Sequence, residues 1–279
     1  MSVLITGGTG KTGRRLARLL EQAAVPFRVA SRHPDMKAAR EILFDWTRAE
    51  TWPAALEGTQ ALYLVAPPVG ADMLQTMQPF LTQALQTGVR RAVLLSASSL
   101  PAGGPYMGEV HQWLADHMPE WMVLRPTWFM QNFSEQQHLD TLLCEDSIYS
   151  ATGTGRVPFI DAEDIAAAAC AALTGPARNA DVILTGPQTL SYDDVAHVLS
   201  VTTGRIIRHV SLSPSALAER FTRSGMPQEY AQALAAMDSA ISEGAEDRVT
   251  EGVMSLTGRA PGDFSRFARR HRETWRKPS

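Results

Sequence analysis

The sequence is poor in cysteine and contains no long apolar run. Cys144 and Cys170 are its two cysteines, and no histidine lies near them at metal-ligand spacing. A disulfide framework and a zinc site are therefore not expected, and two buried free thiols are. The first residues run into a glycine turn without a basic segment or an apolar stretch, so we predict no signal peptide, no membrane span and a cytoplasmic location.

The sequence also lacks a large excess of charge of either sign. The formal net charge is -3 at pH 7, which gives no indication of nucleic acid or a membrane surface as a partner. With 279 residues, of which 44% are hydrophobic, the chain can bury a substantial core. A small-molecule partner is expected, and the oligomeric state is left open.

Lysine is rare, and this limits the catalytic chemistry. The lysines are Lys11, Lys37 and Lys277, and none lies four positions after a tyrosine. The Tyr-x-x-x-Lys pair of ordinary short-chain dehydrogenases, in which the ammonium lowers the phenol pKa, is therefore excluded. No G-x-S-x-G elbow marks a nucleophilic serine. Tyr106 is a candidate proton donor or pocket residue, and a purely structural aromatic is the open alternative.

Short aliphatic runs alternate with helical stretches through the first half of the chain, as in parallel sheets built from βαβ units. The predicted fold class is α/β, a Rossmann doubly wound parallel sheet with a smaller, mostly helical C-terminal substrate lobe. We assign residues 1–150 to the domain that contains this sheet, to which 156–186 return, and residues 187–279 to the smaller lobe. The predicted strands are 3–6, 27–30, 42–44, 61–66, 92–96, 122–124 and 182–185.

A glycine-rich loop lies between the first strand and an amphipathic helix. It fits both G-x-G-x-x-G and G-x-x-G-x-x-G. In this context glycines let the backbone approach a pyrophosphate, whose charge then lies at the helix N-terminus. The P-loop alternative needs a glycine where Ile5 stands, and a tight turn without ligand is the remaining alternative. The predicted contacts are Gly7, Thr9, Gly10, Lys11, Thr12 and Gly13.

The end of the second strand indicates which dinucleotide is bound. An NAD enzyme would carry an acid there for the ribose hydroxyls, whereas this chain has Ser31 and Arg32. A hydroxyl and a guanidinium suit a 2′-phosphate, so we predict NADP(H) in preference to NAD(H). Arg32 as a plain surface charge is the alternative. After the third strand, Asp45 and Trp46 are placed by position near the adenine.

Three segments resemble a known family. The loop 6–13, the run 124–133 with its Arg-Pro-Thr-Trp-Phe motif, and the run 158–166 are similar to those of atypical short-chain dehydrogenases/reductases. The resemblance is to the NmrA-like group, and within it to ergot-alkaloid reductases of the festuclavine synthase and agroclavine dehydrogenase type and their bacterial relatives. It spans nearly the whole chain.

The resemblance implies NADPH binding and a substrate pocket between two lobes. Members often lack the tyrosine–lysine pair, and those that reduce an iminium carbon need only a hydride, because the positive nitrogen accepts the electrons. Azoreductase-like and quinone-reducing relatives also bind NADPH, whereas NmrA-like sensors bind it without turnover. The nicotinamide is implied near Val65, Ala66, Pro67, Pro68, Ser96, Ala97, Ser98, Pro126, Thr127, Trp128 and Phe129.

We therefore predict an NADPH-dependent reductase of an imine, iminium, enone or quinone-like acceptor, and we keep a redox sensor without turnover as the alternative. Catalysis would come mainly from orientation of the nicotinamide in a dry pocket. Aromatic and methionine residues are the predicted pocket wall, although such residues are more often core. The predicted pocket residues are Tyr106, Trp128, Phe129, Asn132, Met226 and Tyr230.

Overall fold

The computed structural model describes residues 1–35, 38–67 and 72–277, and the chain divides into two compact units. The first unit comprises Met1–Pro126, Ala162–Leu184 and Gly252–Arg259, and the second comprises Thr127–Asp161, Thr185–Glu251 and Ala260–Ser279. The first boundary thus falls at Pro126 and not at residue 150, because Met130, Phe133, Leu142 and Ile148 pack in a core with Tyr192. The segment that returns to the first unit is shorter than the predicted 156–186.

Strands and helices alternate along the first half, as the sequence predicted. The strands are β1 (Val3–Ile5), β2 (Phe27–Ser31), β3 (Glu41–Leu43), β4 (Ala61–Leu64), β5 (Arg91–Leu95), β6 (Glu120–Pro126), β7 (Ser147–Ser150), β8 (Ala180–Leu184) and β9 (Arg208–Ser211). The helices are α1 (Gly13–Gln22), α2 (Trp52–Leu56), α3 (Met73–Gln86), α4 (Met107–His117), α5 (Leu139–Cys144), α6 (Ala162–Thr174), α7 (Tyr192–Thr203), α8 (Pro214–Arg223), α9 (Gln228–Ser242), α10 (Gly252–Thr257) and α11 (Phe264–Arg270).

In the part of the chain that the structure describes, the first unit contains a seven-stranded sheet in the order β3-β2-β1-β4-β5-β6-β8. All neighbouring strands are parallel. Every residue of β4 is buried, as expected for a strand covered on both faces. The predicted doubly wound α/β sheet is confirmed.

The second unit has a two-stranded parallel sheet of β7 and β9 and an aromatic core that includes Phe133, Phe159, Tyr192 and Phe264. At the start of α7, the Ser191 hydroxyl accepts the N–H of Asp194, whose carboxylate accepts the N–H of Ser191. This reciprocal capping box forms although aspartate replaces the usual glutamate or glutamine.

The structure bears on membrane-spanning helices, on metal-binding clusters and on the two cysteines. No helix within the described residues is long and apolar enough to cross a membrane. Across residues 1–35, 38–67 and 72–277, no group of three or more His, Cys, Asp or Glu side chains could hold a metal ion. The prediction of two buried thiols is wrong for Cys144, which is exposed at the end of α5, while Cys170 is half-buried and burial raises its pKa.

Candidate functional site

The segments predicted to contact a dinucleotide meet at one edge of the first unit's sheet. Because the strands are parallel, the carboxyl ends of β1, β2, β4, β5 and β6 share that edge. The strand order reverses between β1 and β4, and ligands of open α/β sheets bind at such a reversal. The fold therefore brings the glycine loop beside the segment that follows β4.

The loop between β1 and α1 has no room for side chains at Gly7, Gly8 and Gly13. Gly7 has φ +63°, and a Cβ there would lie 2.9 Å from the Cβ of Val65; a Cβ on Gly13 would lie 2.4 Å from the carbonyl oxygen of Gly7. The Thr12 side chain does not cap α1. The exposed positions of the loop are Gly7, Thr9 and Gly10. The loop thus presents backbone and a helix N-terminus to an anion, and it fits a pyrophosphate.

Two side chains that the sequence analysis did not single out hold this loop. The Thr6 hydroxyl accepts the N–H of Val65 at 2.8 Å, which ties the loop to the segment after β4. Arg15 is buried in α1, and its guanidinium donates to the Lys11 carbonyl at 2.7 Å and to the Glu163 carboxylate of α6 at 3.1 Å. A threonine and an arginine at these positions carry no distinctive sequence signal, so the fold alone identifies them.

The end of β2 brings opposite charges together. The Ser31 hydroxyl accepts the N–H of His33 at 3.2 Å, and Arg32 is exposed. The backbone N–H and hydroxyl of Thr47 each lie 2.8 Å from Oδ1 of Asp45. These bonds lower the pKa of Asp45, and the nearby positive charge of Arg32 adds to the effect. An ionised Asp45 therefore lies near the guanidinium predicted to read the cofactor.

Trp46 lies in the core and not at the edge. It is 9% exposed, and its indole packs edge-on against Phe44 and Phe80 with ring centroids 5.0 and 5.2 Å away. Such packing contributes to stability, and the Trp46 side chain therefore belongs to the core and not to the cofactor site.

The segments after β4 and β5 are close to the same edge. Their half-buried residues are Val65, Ala66, Pro67, Ser96 and Ala97, while Pro68 lies outside the described residues. The Ser98 N–H donates to the Pro126 carbonyl at 2.9 Å. The Ser96 hydroxyl is buried and has no hydrogen-bond partner in the described part of the chain. A buried hydroxyl left unsatisfied is costly, so Ser96 suits a polar group of a bound ligand.

Tyr106 lies immediately before α4 on a constrained turn. It is 52% exposed, and its backbone has φ 55° and ψ −117°, a conformation that costs a non-glycine residue about 1–3 kcal/mol. Hydrogen bonds from Gly103 to Gly108 and from Gly108 to Pro105 close the turn. The phenol is accessible to a ligand, and its catalytic role stays a prediction.

The predicted pocket residues that follow β6 belong to the second unit. The Thr127 hydroxyl donates to the Pro158 carbonyl at 2.7 Å, so this side chain has a structural partner. The Ile160 N–H donates to the carbonyl of Trp128 at 2.9 Å, which fixes the backbone there. The half-buried residues of this run are Trp128, Phe129 and Asn132.

A cleft of 810 Å³ lies within the second unit. Its wall contains Tyr149, Phe221 and Leu234 together with Met226 and Tyr230, two of the six residues proposed for the pocket. The other four, Tyr106, Trp128, Phe129 and Asn132, do not line it. This volume falls within the range of roughly 300–1,000 Å³ that small-molecule sites occupy.

One side of the cleft carries a charged cluster. The Tyr149 phenol donates to the Glu145 carboxylate at 2.7 Å, and the Arg220 guanidinium pairs with the same carboxylate and lies 3.6 Å from the centroid of the Tyr149 ring. The hydrogen bond between Tyr149 and Glu145 lowers the pKa of the Glu145 carboxyl and raises the pKa of the Tyr149 phenol. Beside them, burial lowers the pKa of His138 to about 3. The cleft therefore presents a carboxylate near pH 7, whereas the neutral His138 imidazole is buried and stacks on Phe133.

The second unit also holds a Ser-His-Asp arrangement. His209 lies 2.8 Å from the Ser150 hydroxyl through Nε2 and 3.2 Å from the Asp193 carboxylate through Nδ1. Ser150 is completely buried and shares a second hydrogen bond with Thr152. A nucleophile must reach its substrate, so this arrangement is structural.

Comparison with known proteins agrees with this geometry. Residues 7–176 match the NAD(P)H-binding family and residues 121–259 match the NmrA-like family. The chain is 42% identical to the uncharacterized oxidoreductase YesF of Bacillus subtilis, over 98% of this chain and 96% of that protein. It is 41% identical to agroclavine dehydrogenase of Claviceps fusiformis over 99% of both chains. The NADPH complex of the Escherichia coli quinone oxidoreductase QOR2 shares its fold, with a TM-score of 0.82 at 21% identity over 95% of this chain and 98% of that one.

The fold and the glycine loop thus define the class, an NAD(P)H-binding oxidoreductase with a Rossmann sheet. Within that class, the chain belongs to the NmrA-like group of atypical short-chain dehydrogenases/reductases. The resemblance inferred from the glycine loop and the Arg-Pro-Thr-Trp-Phe motif is confirmed.

Proposed function

We propose that this protein transfers hydride from NADPH, which it binds in preference to NADH, to a small organic acceptor with an imine, iminium, enone or quinone-like group. The observation that carries the proposal is the glycine loop at the strand-order reversal, with Ser31 and Arg32 at the end of the neighbouring strand. This loop receives a pyrophosphate, and a guanidinium reads a phosphate on the ribose through its planar fork of donors.

The residues of the first unit bind and orient the cofactor. When bound, the reduced nicotinamide supplies the hydride. The loop holds the pyrophosphate against the N-terminus of α1, and Thr6 and Arg15 keep the loop in place. Arg32 contacts the 2′-phosphate, Asp45 accepts a hydrogen bond from the adenine, and the Ser96 hydroxyl serves the nicotinamide end. Rate enhancement comes mainly from this orientation.

Three of the five tyrosines are unsuited to donate a proton to the acceptor. Burial raises the pKa of Tyr63 and of Tyr192, and the bond to Glu145 raises that of Tyr149, so these phenols are poor proton donors. With no lysine four positions after any tyrosine, an iminium carbon is the acceptor that fits best, because its nitrogen already carries the positive charge. The similarity to an agroclavine dehydrogenase supports a nitrogen-containing substrate.

We place the acceptor in the cleft that Met226 and Tyr230 line. The cleft combines apolar side chains such as Phe221 and Leu234 with charged ones such as Glu145 and Arg220. Its apolar part suits a flat organic molecule. The matched test uses two exposed residues of α9, Tyr230 inside the cleft and Met237 outside it, which are 40% and 38% exposed. Tyr230→Ala should raise the acceptor KM and leave the NADPH Kd unchanged, whereas Met237→Ala should change neither.

The overall function is tested by following NADPH absorbance with a panel of iminium, enone and quinone acceptors. We expect turnover with NADPH, slower turnover with NADH, and the highest kcat/KM in the iminium group. NADPH binding without turnover of any acceptor would refute the reductase and support the sensor. Equal effects of the two α9 variants would remove the acceptor from this cleft.

A further inference from the structure

Arg125 of β6 joins three segments of the first unit. Its side chain is 13% exposed. The guanidinium donates to the Ser98 carbonyl at 2.7 Å and to the Ala97 carbonyl at 3.4 Å, and it pairs with the Asp181 carboxylate of β8 at 2.6 Å. One side chain therefore links the segment after β5 to the strand on the far side of β6.

The same segment is held by β6 through its backbone. The Ser96 N–H donates to the Leu124 carbonyl at 2.8 Å and the Ser98 N–H to the Pro126 carbonyl at 2.9 Å. With the Ser98 carbonyl bound by Arg125, both backbone polar groups of Ser98 are fixed. β5 ends at Leu95, so these two backbone bonds and the Arg125 contacts set the conformation of the segment that follows.

A guanidinium is the group that this arrangement requires. It is planar and has five N–H donors in a rigid fork, so it can serve two carbonyls and a carboxylate at once. Asp181 compensates its charge, which a largely buried cation needs. A lysine ammonium is a single point on a flexible stem and cannot reproduce the fork.

We propose that Arg125 is a positioning residue that holds segment 96–98 in the conformation that receives the nicotinamide end of the cofactor. The inference rests on the proposed NADP(H) binding. Arg32 follows β2, which is separated from β6 by β1, β4 and β5. Loss of the fork should therefore affect the nicotinamide end and spare the adenosine end.

The test compares Arg125→Lys with Arg91→Lys. Arg91, at the start of β5, is a matched control because it is 15% exposed, pairs with Glu120 and donates to the carbonyls of Leu173 and Gly175. The probes are NADPH and 2′,5′-ADP, which lacks the nicotinamide. We expect Arg125→Lys to weaken NADPH about tenfold, while 2′,5′-ADP changes less than about twofold. Arg91→Lys should leave both affinities within about twofold of the wild type.

A measurement on the wild type keeps the proposal testable if Arg125→Lys does not fold. Hydrogen exchange of the amides in segment 96–98 should slow on addition of NADPH and not of 2′,5′-ADP. The role of Arg125 would be overturned if Arg125→Lys lost affinity for both ligands equally, or if its affinity for NADPH were unchanged. It would also be overturned if NADPH did not slow hydrogen exchange in segment 96–98. Wild-type protein that binds neither probe would refute the proposed cofactor itself, and the inference with it.

Discussion

Removing the Arg32 guanidinium should weaken NADPH binding and leave NADH binding nearly unchanged. A hydrogen bond to a charged group contributes roughly 1.5–3 kcal/mol. Arg32 is exposed and lies near the ionised Asp45, and both factors weaken its interaction with a phosphate. We therefore expect Arg32→Ala to cost about 1.5–2 kcal/mol of NADPH binding, which is roughly a 10- to 30-fold rise in Kd.

The assay is a fluorescence titration of NADPH and NADH on the wild type and on two variants. NADH has no 2′-phosphate, so its Kd should be nearly unchanged in Arg32→Ala. The matched control is Arg48→Ala, because Arg48 is also exposed and near Asp45 but pairs with Glu50 at 2.9 Å. It should leave the ratio of the two dissociation constants as in the wild type.

Two results would refute the reasoning. Equal losses of NADPH and NADH in Arg32→Ala would mean that the guanidinium supports the site without reading the phosphate. An equal loss of discrimination in Arg48→Ala would mean that the general positive charge of this edge, and not the fork at the end of β2, selects the cofactor.

Three further predictions follow from single contacts. Gly13→Ala places a Cβ 2.4 Å from the Gly7 carbonyl and should weaken NADPH by about tenfold or more in the same titration; normal affinity would contradict the cradle. Tyr106→Phe should lower iminium turnover by less than about tenfold, whereas a loss of about a hundredfold or more in steady-state rates would identify an enzymic acid. Asp238 accepts the Ala151 N–H at 2.8 Å, and burial raises its pKa to about 6. Since burial disfavours its charged form, the contribution of Asp238 to the free energy of unfolding should fall as pH rises from about 4 to about 6. Asp238→Asn should remove this contribution from the pH dependence of the wild type and stabilise the protein by about 1–3 kcal/mol at pH 7 in urea titrations. An unchanged slope would contradict the assignment.

The sequence predicted the parallel sheet because its information is local. Runs such as 27–30 and 61–66 are apolar over the length of a strand, and the helices between them have an apolar stripe, so each element follows from its own residues. Boundaries shifted by a few residues at most in these runs. The break between the two units was harder to predict, since the core partners of residues 127–150, such as Tyr192 and Phe264, lie far away in the chain.

The residues of the candidate site likewise fall into those that local sequence reveals and those that only folding brings together. The glycine loop and the missing acid after β2 could be read directly, because glycine acts through its own backbone and a strand end lies at a known edge of the sheet. Trp46 was placed at the cofactor by position, and the packing of Phe44 and Phe80 puts it in the core. The cleft in the second unit includes the predicted Met226 and Tyr230, but it also brings in Glu145, Tyr149 and Arg220, which no motif marked.

The sequence by itself determined the glycine loop, the absence of a tyrosine–lysine pair and the family. These properties depend on residues that are adjacent or regularly spaced. Tertiary structure alone decided which groups support the loop and the segment after β5, because the partners are distant: Thr6 bonds Val65 across 59 positions and Arg125 pairs with Asp181 across 56. A hydrogen bond depends on where two atoms meet in space, and folding brings such pairs together without leaving a pattern along the chain.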